Sequence, residues 1–176
     1  MGHFKILIAI LGFLSFSFSF VPVTYGQVKI GQRVPDFATS TLDGKRFVLK
    51  DHLEQPDHRV LILTFFATWC DPCAEDLKYL QKLQNQYGDQ GLRVLCVFTE
   101  HLSKAKAAIK YMEKLKVNLP VLLDKKSVVS RRYKVTGLPS NYVIDREGIL
   151  RFKCMGCSEN VKRKFEENLR NLLSIP

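Results

Sequence analysis

The sequence predicts an α/β protein: a sheet flanked by helices, in one domain. Three observations carry this. From Val60 the chain runs apolar, rich in β-branched and aromatic residues, for the length of a strand buried on both faces. Residues 74–87 follow with Leu77, Leu80, Leu83 and Tyr87 at steps of three and four, the stripe of an amphipathic helix. Residues 91–98 then read as a second parallel strand, which completes a β-α-β unit.

The totals agree. A chain of 176 residues is long enough for one domain with a real core. The charged share of 25% and the apolar share of 46% are ordinary for a globular protein, so extended disorder is not expected. The net charge of +10 comes from 27 basic and 17 acidic residues. The bland reading is a solvated basic surface; the functional one is docking to acidic partners or anionic headgroups. The basic residues are spread out and form no nucleic-acid module, so no nucleic acid is expected as a partner.

Taken in order, residues 1–26 read as an address. Lys5 gives a short positive start, and residues 6–20 are apolar, softened by Ser15, Ser17 and Ser19. The run is short for a membrane span, which needs about 20 apolar residues. A signal peptide cleaved after Gly26 is expected, with an uncleaved N-terminal membrane anchor as the alternative. Either way residues 27–176 form a domain that works outside the cytosol, where disulfides persist. Residues 31–53 read as a β-hairpin, with Asp43-Gly44 as the turn and residues 45–49 as the returning strand.

The first strand ends in Trp69-Cys70-Asp71-Pro72-Cys73, so two thiols sit where a buried strand hands over to a helix. A helix start offers unpaired N–H groups and the positive end of the dipole, and both favour a thiolate. A cysteine there can have its pKa lowered from about 8.5 toward about 3.5–7.5. Cys70 is therefore the expected attacking thiolate, and Cys73, one turn in, the buried resolving thiol. Pro72 falls where a missing N–H costs little. A structural disulfide or half of a zinc site is the bland alternative.

Cys96 lies mid-strand and reads as a small buried hydrophobe, inert as a thiol. Residues 103–116 read as a helix with Ser103 as its N-cap. Its apolar stripe is Ala105, Ala108, Ile109, Met112 and Leu115, and its other face is basic. A short strand (121–124) and a short helix (127–134) follow. Arg146-Glu147-Gly148 turns the chain into a strand at 149–153, an antiparallel hairpin. Residues 160–173 close the chain as a helix, with Phe165, Leu169, Leu172 and Leu173 inward.

The stretch Phe65-Phe66-Ala67-Thr68-Trp69-Cys70-Asp71-Pro72-Cys73 resembles the thioredoxin superfamily, and most closely its TlpA/ResA-like extracytoplasmic thiol-disulfide oxidoreductases. The resemblance covers residues 31 to the C-terminus. It implies a thioredoxin fold: a central mixed sheet flanked by helices, with an N-terminal β-hairpin and a central insertion that holds the helix at 103–116. The Gly31-to-Phe37 opening resembles both TlpA-like proteins and peroxiredoxins, and the Trp-Cys-x-Pro-Cys stretch separates the two. Val135 to Asp145 resembles the superfamily's cis-proline segment, which implies a cis Pro139 facing the Cys70–Cys73 pair. The backbone at Leu138-Pro139 would then pair with an extended substrate segment.

The chain departs from the family in three places. Thr64 stands where plain thioredoxins have a buried Asp. Asp76 stands where TlpA/ResA-like proteins have Glu, and is the expected proton acceptor for Cys73, with Glu75 beside it. Two acids favouring a helix N-terminus is the plain reading of that pair. Lys78 replaces a helix-kinking Pro. A second motif, Cys154-Met155-Gly156-Cys157, lies between the last strand and the last helix. A structural disulfide is the first reading, a relay pair the second, and a four-cysteine metal site the third.

These residues imply a secreted, periplasmic thiol-disulfide oxidoreductase without cofactor or resident metal. The resemblance implies the reductive direction and protein disulfides as substrates, apocytochrome c among them. It also implies a membrane thiol-disulfide reductase as electron donor. The alternatives are a thioredoxin-fold copper metallochaperone, since thiolates near Met155 suit Cu(I), and an oxidase or isomerase on the same fold.

Overall fold

The structure is a computed structural model that describes residues 28–156 and 158–174. The expected leader at 1–26 and Cys157 lie outside the described residues. Among the described residues, no helix is long and apolar enough to cross a membrane.

Strand β3 (Val60–Phe66) is the centre of the molecule, and every one of its residues is buried. Its side chains alternate between two cores, as the two-residue period of a strand demands. Val60, Ile62 and Phe66 face one core; Leu61, Leu63 and Phe65 face the other. Helix α2 (Asp71–Tyr87) covers the first core with Leu77, Leu80 and Leu83, and returns the chain to β4 (Leu92–Phe98). β4 pairs with β3 in parallel, from Val60 opposite Leu92 to Phe66 opposite Phe98. Helix α3 (Ala105–Leu115) and β5 (Val121–Leu123) repeat the crossover, with β5 parallel to β4.

The N-terminal hairpin of β1 (Ala38–Thr41) and β2 (Arg46–Val48) extends the sheet beyond β5. Gly44 sits in its turn at φ +85°, a backbone region that favours glycine. On the other side, β6 (Ser140–Asp145) pairs antiparallel with β3, and β7 (Leu150–Met155) with β6. The order across the seven described strands is β2-β1-β5-β4-β3-β6-β7, a mixed sheet. Helix α5 (Glu159–Leu173) packs Phe165, Leu169 and Leu173 on the α2 side. Helices α1 (Leu49–Leu53) and α4 (Val128–Tyr133) put Leu49, Val129 and Tyr133 into the opposite core.

Four local expectations change. The returning strand stops at Val48, and Leu49 opens α1, because its side chain is buried as the helix leaves the sheet. Ser103 is not an N-cap. It lies inside a 3-10 turn (Leu102–Lys104) whose cap is His101, with Nδ1 accepting from the Ser103 N–H at 3.3 Å. Ile109 leaves the buried stripe and is exposed, while Ala108 and Met112 are buried. β7 runs on to Met155, so Cys154 belongs to a strand rather than to the connection after it.

Candidate functional site

Cys70 occupies the N-cap of α2 in an extended conformation, and Pro72 lies within the first turn. Cys70 and Cys73 are joined by a disulfide with their Cα atoms 5.3 Å apart. Both are buried, whereas the preceding Trp69 is 67% exposed. The Cys73 N–H donates to the Cys70 carbonyl at 3.1 Å. The turn before Cys70 is tied to the end of β4: Glu100 Oε1 accepts from the Thr68 N–H at 2.7 Å and from Thr68 Oγ1 at 2.5 Å. Tyr111 of α3 stacks on Phe66 and donates to the Cys70 carbonyl at 3.5 Å. The insertion thus grips the cysteine turn at two points.

The Leu138–Pro139 peptide is cis. β6 begins one residue later, with Ser140 opposite Phe65 on one side and Met155 on the other. The C-terminal ends of β3 and β7 and the start of β6 therefore share one edge of the sheet, and this edge carries both the disulfide and Pro139. The Gly156 N–H donates to the Pro139 carbonyl at 2.9 Å, and Ser140 Oγ to the Gly137 carbonyl at 2.7 Å. Met155 lies over Gly137 and is 60% exposed. Leu138 is partly buried and reaches both cores.

Asp76 stands one turn beyond Cys73 on α2 and is buried. Its Oδ2 accepts from Asn141 Nδ2 at 3.0 Å. Burial pushes its pKa above the ordinary carboxylate value, against the Asn141 hydrogen bond and the nearby Lys162 charge. Thr64 is fully buried on the same face of the sheet. Cys96 is also fully buried, and burial, with the Asp76 charge, pushes its thiol far up, as an inert core thiol requires. Glu75 is exposed. It lines a surface groove of about 540 Å³ between α2 and α5, with Tyr79 and Lys162. Cys154 packs at the edge of the α2-side core; its expected partner Cys157 lies outside the described residues. Among the described residues, no three His, Cys, Asp or Glu side chains converge as a metal set.

Sequence reasoning missed Glu100, Tyr111, Asn141 and Lys162. A signal existed for two of them. Glu100 stands two residues after the end of β4, the strand parallel to the one that delivers Cys70. Asn141 is an amide within a fully buried strand, a polar group that needs a partner.

Residues 30–153 match the AhpC/TSA family. The chain is 29% identical over 150 residues to the thioredoxin-like protein YneN of Bacillus subtilis (strain 168), covering 83% of this chain and 84% of that protein. It is 29% identical over 164 residues to the thiol-disulfide oxidoreductase ResA of Geobacillus thermodenitrificans (strain NG80-2), covering 92% of this chain and 89% of that protein. Among solved structures it is similar to a Chlorobium tepidum protein provisionally assigned as the thiol:disulfide interchange protein DsbE. The TM-score is 0.74 at 27% identity, over 84% of this chain and 100% of that one.

Proposed function

The chain belongs to the AhpC/TSA family, with a thioredoxin fold and thiol-disulfide oxidoreductase chemistry, and on that premise we propose that it is an extracytoplasmic reductant of protein disulfides. The observation that carries this reading is the Cys70–Cys73 disulfide, which bridges the N-cap and first turn of α2 on the sheet edge that also holds Pro139. A thiolate at Cys70 faces the unpaired N–H groups of the helix start, and an extended substrate segment meets the backbone at Leu138-Pro139.

The reduced Cys70 thiolate attacks one sulfur of the substrate disulfide. A Cys70–substrate bond forms, the substrate S–S bond breaks, and the released thiolate takes a proton from water. Asp76 accepts the Cys73 thiol proton, and Cys73 attacks Cys70. The Cys70–Cys73 bond forms, the Cys70–substrate bond breaks, and the second substrate thiolate leaves and is protonated. Two electrons pass to the substrate, and the protein is left as its disulfide. Trp69, Pro72 and Leu138 form the surroundings of the reacting sulfurs. The paired cysteines of an apocytochrome c fit this step, and a membrane thiol-disulfide reductase is the class of donor that restores the dithiol. Residues 1–26 act as the export signal or anchor and place residues 27–176 in the periplasm.

The reduction potential of Cys70–Cys73 tests the direction. Titration against dithiothreitol or glutathione, read by alkylation and mass, is expected to give a value near or below about −270 mV, whereas a value near about −120 mV makes the protein an oxidant. Cys70→Ser is expected to abolish exchange, and retained activity refutes Cys70 as nucleophile.

A further inference from the structure

One row of side chains crosses four strands on the α2 face of the sheet, beneath the first turns of α2. The pairings place Cys96 of β4 opposite Thr64 of β3, Thr64 opposite Asn141 of β6, and Asn141 opposite Cys154 of β7. The neighbours of the row on this face are apolar: Ile62, Phe66, Val94, Phe98 and Val143; Asp145, opposite Val60, lies at the far end of β6. Asp76 descends from α2 onto it. Its Oδ2 is held by Asn141 Nδ2, its Oδ1 has no hydrogen-bond partner among the described residues, and the buried Thr64 Oγ1 has none either. Asn141 Nδ2 is thus the one hydrogen-bond donor to this carboxylate among the described residues, and it stands two positions after Pro139.

We propose that Asn141 is a positioning residue for Asp76: from the strand that begins beside Pro139, it holds the carboxylate ionised beneath the cysteines and so sets the pH range in which Cys73 can lose its proton. This rests on the reading of Asp76 as the proton acceptor in the resolving step.

Two effects compete at Asp76. Taking a carboxylate out of water favours its protonated form, and a donated hydrogen bond favours its charged form. The groups that face it are few. Lys162 of α5 contributes a cation whose charge also favours the carboxylate. Glu75, on its own helix, acts on the same lysine, which is further engaged by Glu159 at 2.7 Å. The Cys96 thiol of β4 is neutral, and Cys73 is the group to be deprotonated. An acceptor that must be ionised to work is favoured by the Asn141 amide, against the burial that opposes its charge. A substrate that pairs with the backbone at Leu138-Pro139 also bears on the strand that carries this amide, so docking and proton acceptance share one element.

The test is the pH profile of disulfide exchange by the reduced protein, with insulin as the probe substrate, from about pH 5 to about pH 9. Removing a hydrogen bond to a charged group is expected to move the acidic limb up by about one pH unit in Asn141→Ala. Lys162→Met, which removes the second favourable charge, moves it in the same direction. Both shifts vanish in the Asp76→Asn background. Asn141→Val, a good strand former without a donor, is read by the same criterion where Asn141→Ala does not fold. A profile for the Asn141 variants that superimposes on the parent, while Asp76→Asn removes the acidic limb, overturns the role of Asn141. An acidic limb that survives unchanged in Asp76→Asn overturns the reading of Asp76 itself, and the inference falls with it.

Discussion

Glu100 accepts both hydrogen bonds that Thr68 can donate to it, from the backbone N–H and from the hydroxyl, two residues before Cys70. Its side chain is 8% exposed, and its second oxygen is 3.2 Å from Lys104 Nζ. A loop that leaves β4 therefore fixes the turn that leaves β3. The carboxylate is nearly buried and fully engaged, so its removal strands the Thr68 donors.

Glu100→Ala is expected to lower the unfolding free energy by about 2 kcal/mol, the scale of a lost hydrogen bond to a charged group. Urea unfolding of the oxidised protein measures this. A loss within about 0.5 kcal/mol, the scatter of ordinary surface substitutions, counts against the clamp.

His58 and His52 give the protein a pH-dependent stability. Their rings lie 5.4 Å apart, and both nitrogens of the buried His58 lack hydrogen-bond partners among the described residues. Burial, with His52, Arg93 and Arg146 and against Asp57, lowers the His58 pKa from 6.5 to about 4; burial and Arg93 lower that of His52. Between these values the unfolded chain binds protons that the folded one does not, so stability falls as the pH drops from about 6.5 to about 4. The loss from His58 is at most about 3 kcal/mol, at about 1.4 kcal/mol per pH unit. His58→Phe is expected to flatten the dependence of Tm on pH across this window, and an unchanged slope refutes the assignment.

Cys96 is the thiol that chemistry should not reach. It is fully buried, and its thiolate is disfavoured by burial and by the Asp76 charge. Brief iodoacetamide treatment of the reduced, folded protein is expected to modify Cys70 and to spare Cys96 until denaturant is added. Peptide mass mapping reads the difference, and labelling of Cys96 in the folded state contradicts its placement.

Gly137 and Met155 are sterically coupled. A Cβ on Gly137 would stand 2.5 Å from Met155 Sδ, so the exposed methionine must move for any larger residue to fit. Gly137→Ala is expected to cost about 1 kcal/mol in the parent and markedly less with Met155→Ala present, the non-additivity of residues in contact. Additive costs in the double-mutant cycle exclude the contact.

What the sequence determined by itself was local. The apolar run from Val60 and the stripe from Leu77 to Tyr87 specify a buried strand and an amphipathic helix, because a strand covered on both faces is apolar throughout while a helix covered on one side is apolar at a period of 3.6. The two thiols at their junction follow from that order alone, and the fold class follows from the β-α-β succession. A resemblance in the Val135–Asp145 segment was needed for cis Pro139, since an isolated X-Pro bond carries little local preference.

The rest was decided in three dimensions. Register alone places Thr64, Cys96, Asn141 and Cys154 in one row, and a one-residue slip would turn each to the opposite face. The Asp76–Asn141 hydrogen bond joins residues 65 positions apart, and the Glu100–Thr68 clamp joins residues 32 apart. His101 displaces Ser103 as a cap because the chain leaves β4 through a 3-10 turn before α3 begins. Such contacts depend on which strands pair and where helices settle on them, and a pattern read a few residues at a time does not contain that information.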